Sequence, residues 1–503
     1  MSPTVGATVL VAALMAIASS AGQDRPREEE LFGPPDAGTR GTIGSRESEL
    51  FGAPDAGEPA RMPPATAAKS ATGQEATEDE RRLAGAATPD LFVTEPNRDN
   101  PLQIGGQLYL RSLVQATDRS SVSDTRFLFP AIVDTFFDAR PSERVRGYLL
   151  GRMTYDPTIN SNATNNAFGL PTSSNPAVFL DQLWVTFDLW RTVFVTAGRQ
   201  HVKWGASRFW NPTDFLTPQR RDPLAVFDPR LGASMVKLQL PSERGWNLYA
   251  IALLDNAGPA NRLGQIGGAF RGEIAVGRGE LGAEAVLQNG RRPRFGLDAS
   301  SAIGPVDAYV EMAFKKGSEF PMFRTVPHPD PLLGLPGQFE SYTPSDLQLG
   351  ASGGLNTTLV FAENNDLVLG AEYFYNSSGY DDAAFYPWLI YQGAFQPFYI
   401  GRHYAALYAT FTSPTILGEN TTLLLSNLAN LSDRSLITRL DYLTRVLSYL
   451  YVEAFADVHY GRTGGEFRLG IDIPAQTIGD QAIPGFSIPT PLFDLGLGVR
   501  IKI

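Results

Sequence analysis

The sequence predicts an all-β fold, and within that class a transmembrane antiparallel β-barrel of about 18 strands, with 16 the next choice, preceded by a disordered N-terminal tether. Three observations predict it. Beyond residue 100, apolar segments of about ten residues recur with one-in-two alternation, the period of a strand with one oily and one wet face. The connections between them are tight at one end and long at the other. The closing segment alternates as well. Unequal connections separate a membrane barrel, with short periplasmic turns and long external loops, from a soluble sandwich.

Composition agrees with a wall made of many short pieces. The 503 residues are 43% hydrophobic and 19% charged, with 49 Gly, 30 Phe and 18 Tyr among them. Cysteine is absent, which excludes disulfides, thiolate metal sites and a lipid-modified cysteine. A net charge of −11 leaves no basic footprint for a nucleic-acid partner.

Taken in order, residues 1–21 read as an export signal. VGATVLVAALMAIA (5–18) is the apolar core, and Ser19, Ser20 and Ala21 are small enough for cleavage before Gly22, although no Lys or Arg precedes the core. No other run approaches the ~18 apolar residues of a spanning helix. Residues 22–100 are rich in Pro, Ala, Gly, Glu and Arg and cannot bury enough apolar surface to offset ordering entropy, so they are expected to form a disordered periplasmic tether. From Asp24 to Asp99, 16 acids face 9 bases, which places −7 of the net −11 there. Within it ELFGPPDAG (30–38) returns as ELFGAPDAG (49–57). The repeat is either drift in an unconstrained linker or a duplicated short motif whose Leu-Phe pair docks in a periplasmic partner.

The barrel is expected over residues 101–503. Leu108, Leu110 and Val114 alternate with Gln107, Tyr109, Arg111 and Gln115, and Val145, Leu149 and Met153 with Arg146, Tyr148, Arg152 and Thr154. Later segments repeat the pattern, with Val310 and Met312 against Tyr309 and Glu311, and Val452 and Val458 against Glu453, Asp457 and His459. Connections at 140–143, 190–192, 241–244 and 277–279 are tight, whereas 156–177, 204–231, 317–344 and 379–402 are long. Both ends of such a barrel lie on the periplasmic side, so the strand number must be even. Counting 466–473 as a strand makes it odd; treating 461–490 as one external excursion restores parity. Leu495, Leu497, Val499, Ile501 and Ile503 share a face of the closing strand, which resembles the C-terminal signal of bacterial outer-membrane proteins but ends in Ile rather than an aromatic residue.

Residues 180–189, followed by Gly198-Arg199-Gln200, Trp204-Gly205 and Asn211-Pro212-Thr213-Asp214, resemble a group of proteobacterial outer-membrane channel proteins that includes the alginate-export type and related porin-like proteins. Residues 427–449 support the likeness more diffusely. The resemblance implies a barrel with a transport role and names no substrate. Physically, Gly198 and Gly205 permit close packing where a side chain would intrude. Arg199 is expected to bond carbonyls or carboxylates inside the wall. The loop 204–231 is expected to fold inward and narrow the pore, because Trp204, Phe209, Trp210 and Phe215 are costly on an exposed tip and Arg208, Arg220, Arg221 and Arg230 can pair with lumen carboxylates; the alternative is a loop packed across the top of the barrel.

Alternation places Arg111, Arg146, Arg152, Arg199 and Lys203 on the lumen face of early strands, and Asp307, Glu311, Glu372, Asp441, Glu453 and Asp457 on that of later ones. Either a transverse field follows from this, with Arg152 and Arg199 opposite Glu311 and Glu372, or the alternation is the ordinary solvation of a wet interior. Tyr373, Tyr375, Tyr404, Tyr408 and Tyr442 are expected in the interfacial girdles. Nothing points to a cofactor or a metal, since His201, His328, His403 and His459 lack ligand spacing and no GxSxG or phosphate-loop motif occurs. Asp457 and His459 could form an acid–base pair, although a solvated lumen wall is the plainer reading. The expected function is a porin-like channel for small solutes in a Gram-negative outer membrane, contacting membrane lipid and a solute of unnamed identity. The alternatives are a structural or adhesive barrel displaying its loops, and a barrel hydrolase.

Limited proteolysis of the detergent-purified protein is expected to trim residues 22–100 and leave a resistant fragment beginning near Leu102. A protected N-terminal fragment would refute the tether.

Overall fold

The computed structural model describes residues 101–159, 174–217, 219–225, 230–242, 245–254, 262–318, 321–328, 338–360, 365–412, 420–473, 476–478, 481–483 and 486–503. The export signal, the tether and the ELFG repeats lie outside the described residues.

Eighteen antiparallel strands close into one barrel. In chain order they are β1 (Leu102–Thr117), β2 (Ala131–Ser142), β3 (Val145–Tyr155), β4 (Ala177–Leu189), β5 (Val193–Gln200), β6 (Ala233–Ser242), β7 (Trp246–Leu253), β8 (Gly267–Val276) and β9 (Gly279–Leu287). The second half comprises β10 (Arg294–Ile303), β11 (Val306–Lys316), β12 (Leu347–Val360), β13 (Asp366–Asn376), β14 (His403–Thr412), β15 (Thr421–Asn430), β16 (Ser435–Leu447), β17 (Leu450–Gly461) and β18 (Pro491–Lys502). Each strand pairs with the next, and β18 returns to β1 in a register running from Gln107↔Lys502 to Thr117↔Pro491. Closure leaves no strand edge facing lipid, where an unpaired amide would find no water.

The even strand number agrees with the sequence expectation, and so does the exclusion of 466–473 from the wall. Glu466–Arg468 forms a 3₁₀ turn, and Ile471–Ile473 pairs with Phe486–Ile488 in a separate two-stranded sheet. Alternation sorts side chains as the period requires. Leu183, Phe270, Met312, Leu407 and Val458 are exposed on the outer face, while their neighbours Trp184, Arg271, Glu311, Tyr408 and Asp457 point inward and are buried.

Outside the membrane, three long connections pack into a cap. Phe323 and Phe339 come from the first, in which Met322–Thr325 pairs with Phe339–Tyr342. The second supplies Tyr386, Trp388, Leu389 and Ile390 of the single-turn helix α1 (Tyr386–Tyr391), which has Pro near its start, where the missing N–H costs nothing. Leu469 and Ile471 of the third complete the cap.

Gly198 is where the wall tolerates no side chain. Its φ is 130°, and a Cβ would overlap the Leu183 carbonyl oxygen and stand 2.8 Å from Trp184 Cα. Replacing Gly198 with Ala is expected to destabilise the barrel by about 1–3 kcal/mol, the usual cost of a strained backbone position. Denaturant unfolding in detergent micelles, followed by heat-modifiable gel mobility, checks this. An unchanged midpoint would show that the strand relaxes around the methyl group.

Candidate functional site

The connection between β5 and β6 turns into the barrel. Phe209, Trp210 and Leu224 pack with Phe374, Tyr404, Tyr408, Leu424, Leu428 and Ile437, which project inward from β13 to β16. Trp204, Phe215 and Leu216 pack with Met235, Ile251, Leu253, Ala269, Val286 and Ala313 on the inner faces of β6 to β9 and β11. The loop therefore lies against the inner wall and not across the top. Trp210 stacks on Phe374 with ring centroids 5.8 Å apart and stands 5.4 Å from Tyr404. This corrects the girdle expectation for Tyr404 and Tyr408, which serve the loop from inside. Tyr373 does lie on the outer face, 45% exposed.

Two wall carboxylates hold the loop backbone. Glu372 on β13 accepts the amides of Arg208 at 2.8 Å, Phe209 at 3.1 Å and Trp210 at 2.8 Å, together with the Tyr309 hydroxyl at 2.6 Å and the Ser352 hydroxyl at 3.3 Å. Glu311 on β11 accepts the Ser207 amide and, at 3.0 Å, the Thr213 hydroxyl. Successive amides pointing at one anion form a nest, and these donors offset much of the cost of removing a carboxylate from water.

The motif residues build that turn. Gly205 has a φ of 91°, and a Cβ on it would lie 2.5 Å from Asn211 Oδ1, Thr213 Oγ1 and Glu311 Oε1. The Asn211 side-chain amide donates to the Trp204 carbonyl, and Arg230 bonds Asp214 at 2.7 Å across the base of the loop. The Arg208 guanidinium stands 4.2 Å over the Tyr408 ring, and that of Arg220 stands 5.1 Å over Tyr399. Burial pushes the Tyr399 phenol up to about 12, against the opposing pull of Arg220. Arg221 is buried, and Asp222 interacts electrostatically with Arg439 on β16, so the loop reaches from its own strands to the far arc.

The transverse field does not survive as sketched, because most of the charges are neutralised within their own arc, and Arg111 meets Glu453, Asp457 and Asp494 electrostatically beside the β1–β18 seam and not across the lumen. Arg152 forks onto Asp134 at 2.9 and 3.1 Å and lies 3.7 Å from Asp181, and Arg146 bonds Asp138 at 2.9 Å. On the later arc Glu453 pairs with Arg500 at 2.6 Å, and Asp457 with Arg439 at 3.3 Å. Glu311 and Glu372 face loop amides. Arg199 is a further correction. It pairs in register with Leu183 and Ser234 on the outer face, while Gly198 shares the inner face with Trp184 and Met235. Gln200 is buried on the inner face, and Lys203 is exposed beyond the end of β5. For the Asp457–His459 pair, the structure engages both ring nitrogens of His459 elsewhere in the barrel, Nδ1 with the Phe467 carbonyl at 2.7 Å and Nε2 toward Asp494 at 3.6 Å. Among the described residues, no group of three His, Asp or Glu is placed to hold a metal.

Several inner residues escaped the sequence reading. Asp134 and Asp138 share an inner face with Ile132 and Phe136, a pattern already legible in AIVDTFFDAR. Asp181 is harder to foresee. It is an extra residue where the β3–β4 register shifts, and it bonds His201 at 2.7 Å and the Gly232 amide at 3.2 Å. Arg271 gathers Glu273, Glu284 and Asp298 within 2.7 to 2.8 Å.

Replacing Glu372 with Leu leaves three loop amides without their acceptor, at about 1–3 kcal/mol each. Amide exchange at residues 208–210 is expected to accelerate at least tenfold while the barrel stays folded. Unchanged protection would show that aromatic packing alone positions the loop.

No family model and no curated protein matches the chain. Its backbone is similar to that of OccAB1 from Acinetobacter baumannii, with a TM-score of 0.47 and 9% identity, covering 80% of this chain and 97% of the other. OccK11 (OpdR) from Pseudomonas aeruginosa gives 0.46 and 10%, covering 80% and 96%. A BenF-like porin from Pseudomonas fluorescens gives 0.46 and 8%, covering 80% and 98%.

Proposed function

We propose that the protein is an outer-membrane channel for small solutes, and that the loop between β5 and β6 sets the narrowest part of its path. The observation that carries this reading is the clamp of Glu311 and Glu372 on that loop inside a closed barrel. A purely structural barrel has no need to hold a loop within its lumen. The remaining path would be bounded by the loop, on which Arg220 is exposed while Arg208 and Arg221 are buried, and by a wall whose charges Arg152, Glu453 and Asp457 are withdrawn behind their partners. Because those wall charges are paired and buried, a solute would meet polar groups with little net charge. Such a lining favours small polar solutes over apolar ones. The resemblance to alginate-export-type channels rests on the Gly198-Arg199-Gln200, Trp204-Gly205 and Asn211-to-Asp214 residues, of which Gly205, Asn211, Thr213 and Asp214 turn and brace the loop here.

The packed external cap favours a second reading, a barrel that displays its loops for adhesion. Conductance separates the two. In planar bilayers the purified protein is expected to form discrete channels, and deleting residues 207–222 should raise unit conductance about twofold or more. A folded barrel that never conducts favours the display reading. Unchanged conductance after the deletion would remove the loop from the path.

A further inference from the structure

The cap and the inward loop meet at one residue. Trp210 Nε1 donates to the Phe398 carbonyl at 2.9 Å, and the Phe398 amide donates to Glu466 Oε1. Phe398 adopts a φ of 65°, a left-handed conformation that a non-glycine residue holds only when its surroundings impose it. Its ring lies 5.4 Å from that of Phe467. The same residue thus ties the loop's largest fully buried side chain to the connection between β17 and β18.

Glu466 belongs to a buried polar knot. Its Oε2 accepts the Tyr404 hydroxyl at 2.7 Å and Asn430 Nδ2 at 2.8 Å. Asp433, on the turn between β15 and β16, accepts the Glu466 amide at 2.7 Å, the Tyr386 hydroxyl of α1 at 2.7 Å and Asn430 Nδ2 at 3.0 Å. Asp433, Tyr386 and Tyr404 are therefore the titratable groups facing Glu466 from the turn, from α1 and from β14. On β17, His459 bonds the neighbouring Phe467 carbonyl. On the loop of Glu466 itself, Arg468 directs Nη1 to the Gly461 carbonyl at 3.2 Å.

We infer that this knot is a proton-operated latch, in which a neutral Glu466 holds Phe398 and, through it, Trp210 and the inward loop in the closed position. The inference rests on the channel reading. Its physical basis is two carboxylates sharing donors in an apolar setting, where both cannot carry charge without penalty. Burial, reinforced by Asp433, raises the Glu466 carboxyl from its ordinary 4.5 to about 7. The sign follows directly. A raised folded value means that closing takes up a proton, so the latch is firmest below the ordinary carboxyl value and weakens as pH climbs to about 7.

Single-channel recording and amide exchange at Phe398 and Trp210 test this together, the second without requiring conduction. For one linked proton, between about pH 5 and about pH 8 the open-to-closed ratio and the relative exchange rate of the parent should each rise at least tenfold. Glu466→Gln, a neutral isostere, should flatten both profiles at the parent's acid-side level. Tyr404→Phe, which removes a donor to the carboxylate, should move the transition to higher pH without abolishing it. Heat-modifiable mobility confirms that both variants fold. If Glu466→Gln keeps the parent's pH dependence, another group such as His459 drives it and the latch is wrong; a parent without pH dependence in exchange overturns it equally. Absence of current in every variant would strike the channel reading and leave the exchange result to decide the latch.

Discussion

Backbone amides that leave a hydrogen-bonded wall must find acceptors elsewhere, and the inward loop meets that demand with the carboxylates of Glu311 and Glu372. The arrangement depends on this capture. Four consecutive residues, Ser207 to Trp210, present their amides to only two side chains. The chain there is fixed in direction, and the rings of Phe209 and Trp210 are delivered to Phe374, Tyr404 and Tyr408. Tyr309 and Ser352 bond Glu372 from the wall side, so the carboxylate is itself oriented before the loop arrives. Positioning by a rigid strand, with the partner supplied by a loop, is the usual division of labour where geometry matters.

Much of the fold was legible in the chain because the physics that selects it is local. Strand faces follow from a period of two, and the wall follows from the impossibility of an open edge in lipid. Parity alone removed the segment 466–473 from the wall. The aromatic content of the loop foretold its burial, and Gly198 and Gly205 announced two close approaches. The failures are equally local. At Arg199 the residue type argued inward while parity argued outward, and parity won; near the external end of a strand a long cationic side chain can reach the interface. Asp181 was invisible because a register shift breaks the period on which the reading depends. Tyr404 and Tyr408 were misplaced because an aromatic residue suits a girdle and an inner cluster equally well. No sequence pattern could pair Glu372 with residues about 160 positions away; that proximity is created by closure of the barrel.

The inner wall follows a common economy of charge. Arg152, Arg271, Arg439 and Arg500 project from β3, β8, β16 and β18, and each is met by at least one carboxylate on its own or an adjacent strand. Direct cross-strand neighbours stand close enough for such pairs, and breaking one of them strands a charge in a poorly solvated place. Charge is thus kept local, and the large potentials that unpaired rows would create are suppressed. The external cap is built differently, from aromatic packing around the Asp433–Glu466 knot. The cap meets the inward loop at Phe398.

The seam between β1 and β18 carries a kinetic consequence. β1 emerges first in the wall, yet its second neighbour is translated only after all the others, so every seam pair joins residues nearly the whole barrel apart in sequence. Bringing such distant segments together costs only a few kcal/mol more than closing a short hairpin, since loop entropy grows with the logarithm of length. Until that happens, however, both strands expose unpaired rungs along their lengths. A chain in this state is a ribbon with two adhesive margins, open to pairing with another ribbon as readily as with itself. The seam is therefore the step at which assembly is most exposed to error, and whatever machinery escorts the chain to the membrane must shield those two margins until they meet.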